Sequence, residues 1–154
     1  MELAALQELA TGLDHPEGIT WGPDGCLSAD GDWLLVIESH GRCVTRVPID
    51  DDGSAGRPEL VVELPGSQPD GIALADDGSL FIGCYRPDRV YRIEPGGAPE
   101  ILFEDPDGVS MNQPTNVAFI GDGLDRLAIA SLGGWSVVAA DVGARGLPLR
   151  YPHR

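Results

Sequence analysis

One short pattern returns along this chain at a nearly constant interval. His15-Pro16-Glu17-Gly18-Ile19-Thr20-Trp21, Gln68-Pro69-Asp70-Gly71-Ile72-Ala73-Leu74 and Gln113-Pro114-Thr115-Asn116-Val117-Ala118-Phe119 each run from a proline through short polar residues or glycine into an apolar stretch. A shorter copy starts at Pro23-Asp24-Gly25-Cys26-Leu27. Pro23 and Pro69 are 46 residues apart, Pro69 and Pro114 are 45 apart, whereas Pro16 precedes Pro23 by only seven. An interval of about 45 residues is the length of a four-stranded β-propeller blade.

Each interval contains the strands that a blade requires. β-prone runs bounded by Gly, Asp and Pro are expected at Cys26 to Ala29, Trp33 to Ser39, Cys43 to Ile49 and Glu59 to Leu64 in the first full repeat. The second repeat offers Ile72 to Ala75, Leu80 to Tyr85, Arg89 to Glu94 and Glu100 to Phe103, and the third Val117 to Ile120, Arg126 to Ser131 and Val137 to Asp141. Val44-Thr45-Arg46-Val47 and Val90-Tyr91-Arg92-Ile93 repeat one alternation 46 residues apart. Asp-Gly recurs at Asp24, Asp30, Asp52, Asp70, Asp77, Asp107 and Asp122, a dipeptide that suits turns needing a positive φ. No helical apolar period is sustained, apart from a turn or two over Leu3 to Leu9. The expected fold is all-β: a partial β-propeller of about three blades plus an N-terminal strand. Residues 1–154 form one domain in this reading, with repeats at about 12–25 (partial), 23–68, 69–113 and 114–154.

Composition narrows the partners. Ten Lys and Arg against 25 Asp and Glu give a formal charge of -15, which repels nucleic-acid backbones and anionic membrane surfaces. The uncharged stretch from Leu127 to Ala140 contains Gly133 and Gly134 and is too short to span a bilayer, so no membrane is expected. Met1 to Glu8 lacks the basic region and apolar core of an export signal, and Cys26, Cys43 and Cys84 show no paired metal spacing. Reduced, buried thiols and a cytoplasmic location follow as expectations. His15 and His40 fall in turn contexts, Ser39 and Ser131 lack a glycine-flanked nucleophile elbow, and Trp33 and Trp135 suit packing between blades.

The same segments, taken in order, resemble the senescence marker protein (regucalcin)/gluconolactonase/luciferin-regenerating enzyme-like family. Gly12 to Trp21 is similar to its opening strand, and Cys26 to Ser39, Pro69 to Leu74, and Pro114 to Phe119 with Ala130 to Trp135 are similar to three successive later blades. The resemblance implies a six-bladed propeller of roughly twice this length, internally shortened here by the seven-residue step. It implies a calcium-dependent hydrolase of sugar-type lactones, with another divalent cation such as magnesium or zinc in place of calcium as the alternative cofactor.

In that architecture the segment leading into each innermost strand points at the central channel, and Glu17, Asp70 and Asn116 hold that position. By resemblance Glu17 and Asp70 are metal ligands, Asp70 is also the acid/base, and Asn116 contacts substrate. The third ligand would be an Asn where this chain reads Pro23-Asp24-Gly25, and Asp24 is its substitute. The family's substrate-contacting Arg and Asn belong to blades absent here, so activity of a monomer is expected to be impaired. A noncatalytic binding or scaffold module, or an inactive shortened relative, is the alternative. Three blades leave an open arc, and a homodimer would complete the ring.

Overall fold

The structure, a computed structural model, describes residues 16–22, 33–134 and 136–148. Cys26 to Ala29, Asp24, Cys26 and Trp135, and the turn expected over Leu3 to Leu9, lie outside the described residues.

Among the described residues eleven strands form three antiparallel meanders. The first sheet runs in the order β1 (Pro16–Gly22), β2 (Trp33–Glu38), β3 (Cys43–Pro48), β4 (Glu59–Glu63). The second is β5 (Gln68–Leu74), β6 (Leu80–Arg86), β7 (Asp88–Ile93), β8 (Glu100–Glu104), and the third β9 (Pro114–Ile120), β10 (Arg126–Ser131), β11 (Val137–Asp141). β1 pairs with β2, so the Pro16 motif supplies the innermost strand of the first sheet. β1 packs against β5 and β5 against β9, which stacks the three sheets through their innermost strands.

Side-chain alternation builds two cores, one on each side of the second sheet. Leu80, Ile82 and Cys84 point toward the first sheet and join Trp33, Leu35, Ile37 and Val44. Phe81 and Val90 point the other way and join Val117, Leu127 and Ile129 of the third sheet. Phe81 meets Phe119 edge-on, with ring centroids 5.1 Å apart at 85°. With both faces covered, every residue from Leu80 to Cys84 is buried. Among the described residues the third sheet has one covered face: Val117 is buried, while Asn116, Ala118 and Ile120 on the opposite face of β9 are exposed.

The tight turns follow the expected chemistry. Gly53, Gly78 and Gly108, each after an aspartate, have φ of 81°, 83° and 64°. The Asp52 and Asp77 carboxylates accept the amide protons of Ser54 and Ser79 at 2.9 and 2.8 Å. Beyond β11 the chain returns to the far end of β5, where the Leu147 amide donates to the Leu74 carbonyl at 2.9 Å and the Asp76 amide to the Arg145 carbonyl at 2.8 Å. Leu147 adds to the core between the first two sheets. Trp33 is 2% exposed and packs in that core, as expected of a blade tryptophan. Cys84 is buried and Cys43 half-buried, both as free thiols.

Candidate functional site

The three sequence motifs form one structural position. Each innermost strand loses register with its neighbour just after its proline: between Pro16 and Ile19 in β1, between Pro69 and Ile72 in β5, and opposite Ala130 and Ser131 in β9. A β-bulge leaves residues unpaired and re-aims their side chains. Glu17 and Asp70 therefore lie within in-phase irregularities at the same end of their strands, whereas in β9 the skipped residue is Thr115 and Asn116, one position further on, pairs in register with Ala130. The Pro-Asp-Gly segment, which has the composition of a turn, is the beginning of a strand.

Gly71 brings two of these positions together. It does not adopt a positive φ, unlike the turn glycines. A Cβ built on it would lie 2.5 Å from the Asn116 Cα and the Thr115 carbonyl oxygen, and 2.7 Å from the Asn116 Oδ1. Only the absence of a side chain lets β9 cross β5 this closely. Asp70, one residue before the crossing, is half-buried, and Asn116 is exposed, with its Oδ1 accepting the Val117 amide at 2.9 Å. For Glu17 the structure gives its place on β1, and Asp24 lies outside the described residues.

Hydrogen bonds join the segments around β5 and the loop before β9. The Ser39 hydroxyl, just past β2, donates to the Pro69 carbonyl at 2.6 Å. Ser67 pairs with the Tyr91 hydroxyl at 2.9 Å, and Tyr91 also receives a hydrogen bond from Arg89 at 3.2 Å. The loop that delivers β9 is braced by carboxylates: Asp105 accepts the Ser110 and Met111 amides at 2.6 and 2.7 Å, and Asp88 accepts that of Gln113 at 2.8 Å. The backbone bonds from Met111 and Ser110 hold the Asp105 carboxyl below its ordinary range. Asn112 and Gln113 both take positive φ, 34° and 61°, and the Asn112 side-chain amide donates to the Gly133 carbonyl at 3.0 Å. The Ser131 hydroxyl, across from Pro114, is buried without a partner among the described residues.

Behind Asp70 is Cys84, paired in register with Pro69. Burial pushes its thiol up to about 12, with the Asp70 charge adding to the rise and Arg89 opposing it. Ser39, Asp88 and Asp105 are contributions that the motif alone does not reveal. The short serine or aspartate next to a strand end is their only local signal, and their partners lie well away in sequence or across a fold-dependent loop.

Residues 2–133 match the SMP-30/Gluconolactonase/LRE-like region family. The chain belongs to this family. It is 32% identical over 108 residues to a 6-deoxy-6-sulfogluconolactonase from Pseudomonas putida, an alignment covering 68% of this chain and 36% of that protein. The chain therefore spans about a third of that relative's length. Among solved structures it is similar to a calcium-binding protein, regucalcin, from Agrobacterium tumefaciens, with a TM-score of 0.65 and 21% identity over 84% of this chain and 42% of the other. It is also similar to a gluconolactonase from Xanthomonas campestris, with a TM-score of 0.62 and 22% identity over 81% of this chain and 37% of that one. The fold is accordingly all-β and of the propeller type, the three sheets corresponding to blades. Among the described residues no group of three or more His, Cys, Asp or Glu is assembled, and no helix is long and apolar enough to cross a membrane.

Proposed function

We propose that this chain carries part of a divalent-metal site for the hydrolysis of sugar-type lactones. The observation that carries the reading is the shared irregularity after Pro16, Pro69 and Pro114, in which Glu17 and Asp70 hold the same position at one end of stacked strands, with Asn116 against the neighbouring Gly71. Carboxylate oxygens are hard donors and fit calcium or magnesium, with zinc the less matched alternative. Glu17 and Asp70, with Asp24 as the third carboxylate, would hold such a cation, and when bound it would supply Lewis-acid polarisation of the lactone carbonyl.

The chain's own residues do the remaining work. Asp70 orients a water against the lactone carbonyl carbon and takes its proton as the new C–O bond forms. The same carboxyl returns that proton to the ring oxygen as the acyl–oxygen bond breaks, which yields an open-chain hydroxy acid. Asn116, beside Asp70 across the Gly71 crossing, contacts the sugar hydroxyls. The reading places this chemistry in the cytoplasm, supported by the free thiols of Cys43 and Cys84. It also assigns a second copy of this chain as partner, on the uncovered face of the third sheet. Two copies of three blades would supply the six that the family resemblance implies.

Calorimetric titration with calcium, alongside hydrolysis of a sugar δ-lactone such as gluconolactone, tests the proposal. Asp70→Asn is expected to weaken calcium binding at least tenfold and to lower the hydrolysis rate by about 10²-fold or more, the usual range for a lost acid/base. A folded wild-type chain that neither binds calcium nor opens the lactone would leave the noncatalytic binding module as the surviving reading.

A further inference from the structure

We propose that Ser39 is a positioning residue for Asp70, acting across the boundary between the first and second sheets. The inference rests on the reading of Asp70 as metal ligand and base. Ser39 is 2% exposed, directly follows Glu38 at the end of β2, and its hydroxyl donates to the Pro69 carbonyl at 2.6 Å. That carbonyl belongs to the peptide group whose nitrogen is Asp70's own. A peptide group is planar, so fixing the direction of its C=O fixes the plane from which the Asp70 Cα departs. Within its own sheet Pro69 keeps its pairing with Cys84, but the β5–β6 register breaks on both sides of it and Asp70 itself is skipped. The first sheet adds a side-chain donor to this carbonyl at the point where the ladder is interrupted.

The following residue is fixed from the opposite side. Gly71 lies against the Thr115 carbonyl and the Asn116 Cα of β9, which leaves no room for the segment to shift toward the third sheet. Asp70 is thus held between a hydrogen bond from the first sheet and a backbone contact from the third. Its direction depends on how the sheets stack and not on local turn preference. A serine suits this place: its hydroxyl is the shortest side-chain donor, and it brings no charge of its own.

A merely structural hydrogen bond would affect folding alone, so the test compares Ser39→Ala with Tyr91→Phe. The latter removes another hydroxyl of the second sheet together with its contacts to Ser67 and Arg89. For each purified full chain, calcium affinity is measured by calorimetry, kcat and KM on gluconolactone are measured across pH, and folding is checked by circular dichroism. Ser39→Ala is expected to weaken calcium binding about tenfold and to lower kcat more than KM changes, since misplacing a reacting group by about 1 Å costs up to 10²-fold. Tyr91→Phe is expected to stay within twofold of wild type in both. If Ser39→Ala does not fold, Ser39→Cys keeps the bulk and substitutes a weak donor, with a loss of threefold or more expected. Calcium affinity and kcat equal to wild type in whichever of these variants folds, or a loss no larger than that of Tyr91→Phe, would overturn the proposal. Asp70→Asn separates the two readings. If Asp70→Asn binds calcium like wild type, the site itself is wrong and this inference goes with it. If only the Ser39 variants are silent, the positioning role alone is wrong.

Discussion

Cys84 shows how far a single residue's chemistry depends on its neighbours. Its thiol lies in the core behind Asp70, and burial first, then the Asp70 charge, raise it from 9.0 to about 12, against the pull of Arg89. A neutral thiol is a poor nucleophile. Iodoacetamide at pH 8 is therefore expected to leave Cys84 unmodified in the folded chain and to modify it after denaturation, as read by mass spectrometry; rapid labelling of the native protein would contradict the packing. The linkage runs in the same direction. A group whose folded value lies above its unfolded one contributes its stability fully below pH 9 and loses it as pH rises from 9 toward 12. The sequence identifies Cys84 as an unpaired, buried thiol, and that much was legible. Its coupling to Asp70 was not, because register between β5 and β6 decides which residues face one another. Ser39 illustrates the same limit: without a nucleophile elbow it carries no motif, and its partner Pro69 is 30 residues away in another sheet.

At the scale of elements, strand positions are almost fully written in the chain. Leu80 to Tyr85, Arg89 to Glu94, Arg126 to Ser131 and Val137 to Asp141 were each expected within a residue of the strands β6, β7, β10 and β11. Alternation and turn residues suffice there, since both act over a few neighbours. The innermost strands are the exception. They begin four residues or so earlier than apolar patterning indicates, at Gln68 and Pro114, because partners in the adjacent sheet hold the Pro-containing segment extended against its turn composition. Gly71 marks the tightest of these contacts. Gly71→Ala would push a methyl group into the backbone of Thr115 and Asn116, which cannot give way as a flexible side chain could. Overpacking of this kind costs about 1–3 kcal/mol. A urea or thermal melt is expected to show a loss of at least that size, and an unchanged midpoint would mean that β5 and β9 do not cross as described.

The whole molecule sets charge against uncovered apolar surface. A net charge of -15 keeps copies apart at low ionic strength, while the far face of the third sheet presents Ala118, Ile120 at 39% and Val137 at 68% exposure. Association through that face should strengthen with salt, as screening removes the repulsion. Sedimentation equilibrium is expected to find dimers at 0.3 M salt, where the Debye length falls below about 8 Å, and Val137→Glu is expected to return the chain to monomer. A wild-type monomer at high concentration and high salt would remove the second copy from the proposed function.

By itself the sequence determined the blade period and most of the strands, because repeats, alternation and turn residues are local and survive in one dimension. Only the tertiary structure decided that Pro16–Gly22 completes the first sheet, that Gly71 serves close approach and not a turn, and that Ser39 holds the peptide plane of Asp70. Those are contacts between sheets, and the physical reason they escape the sequence is that stacking, unlike alternation, has no fixed spacing along the chain.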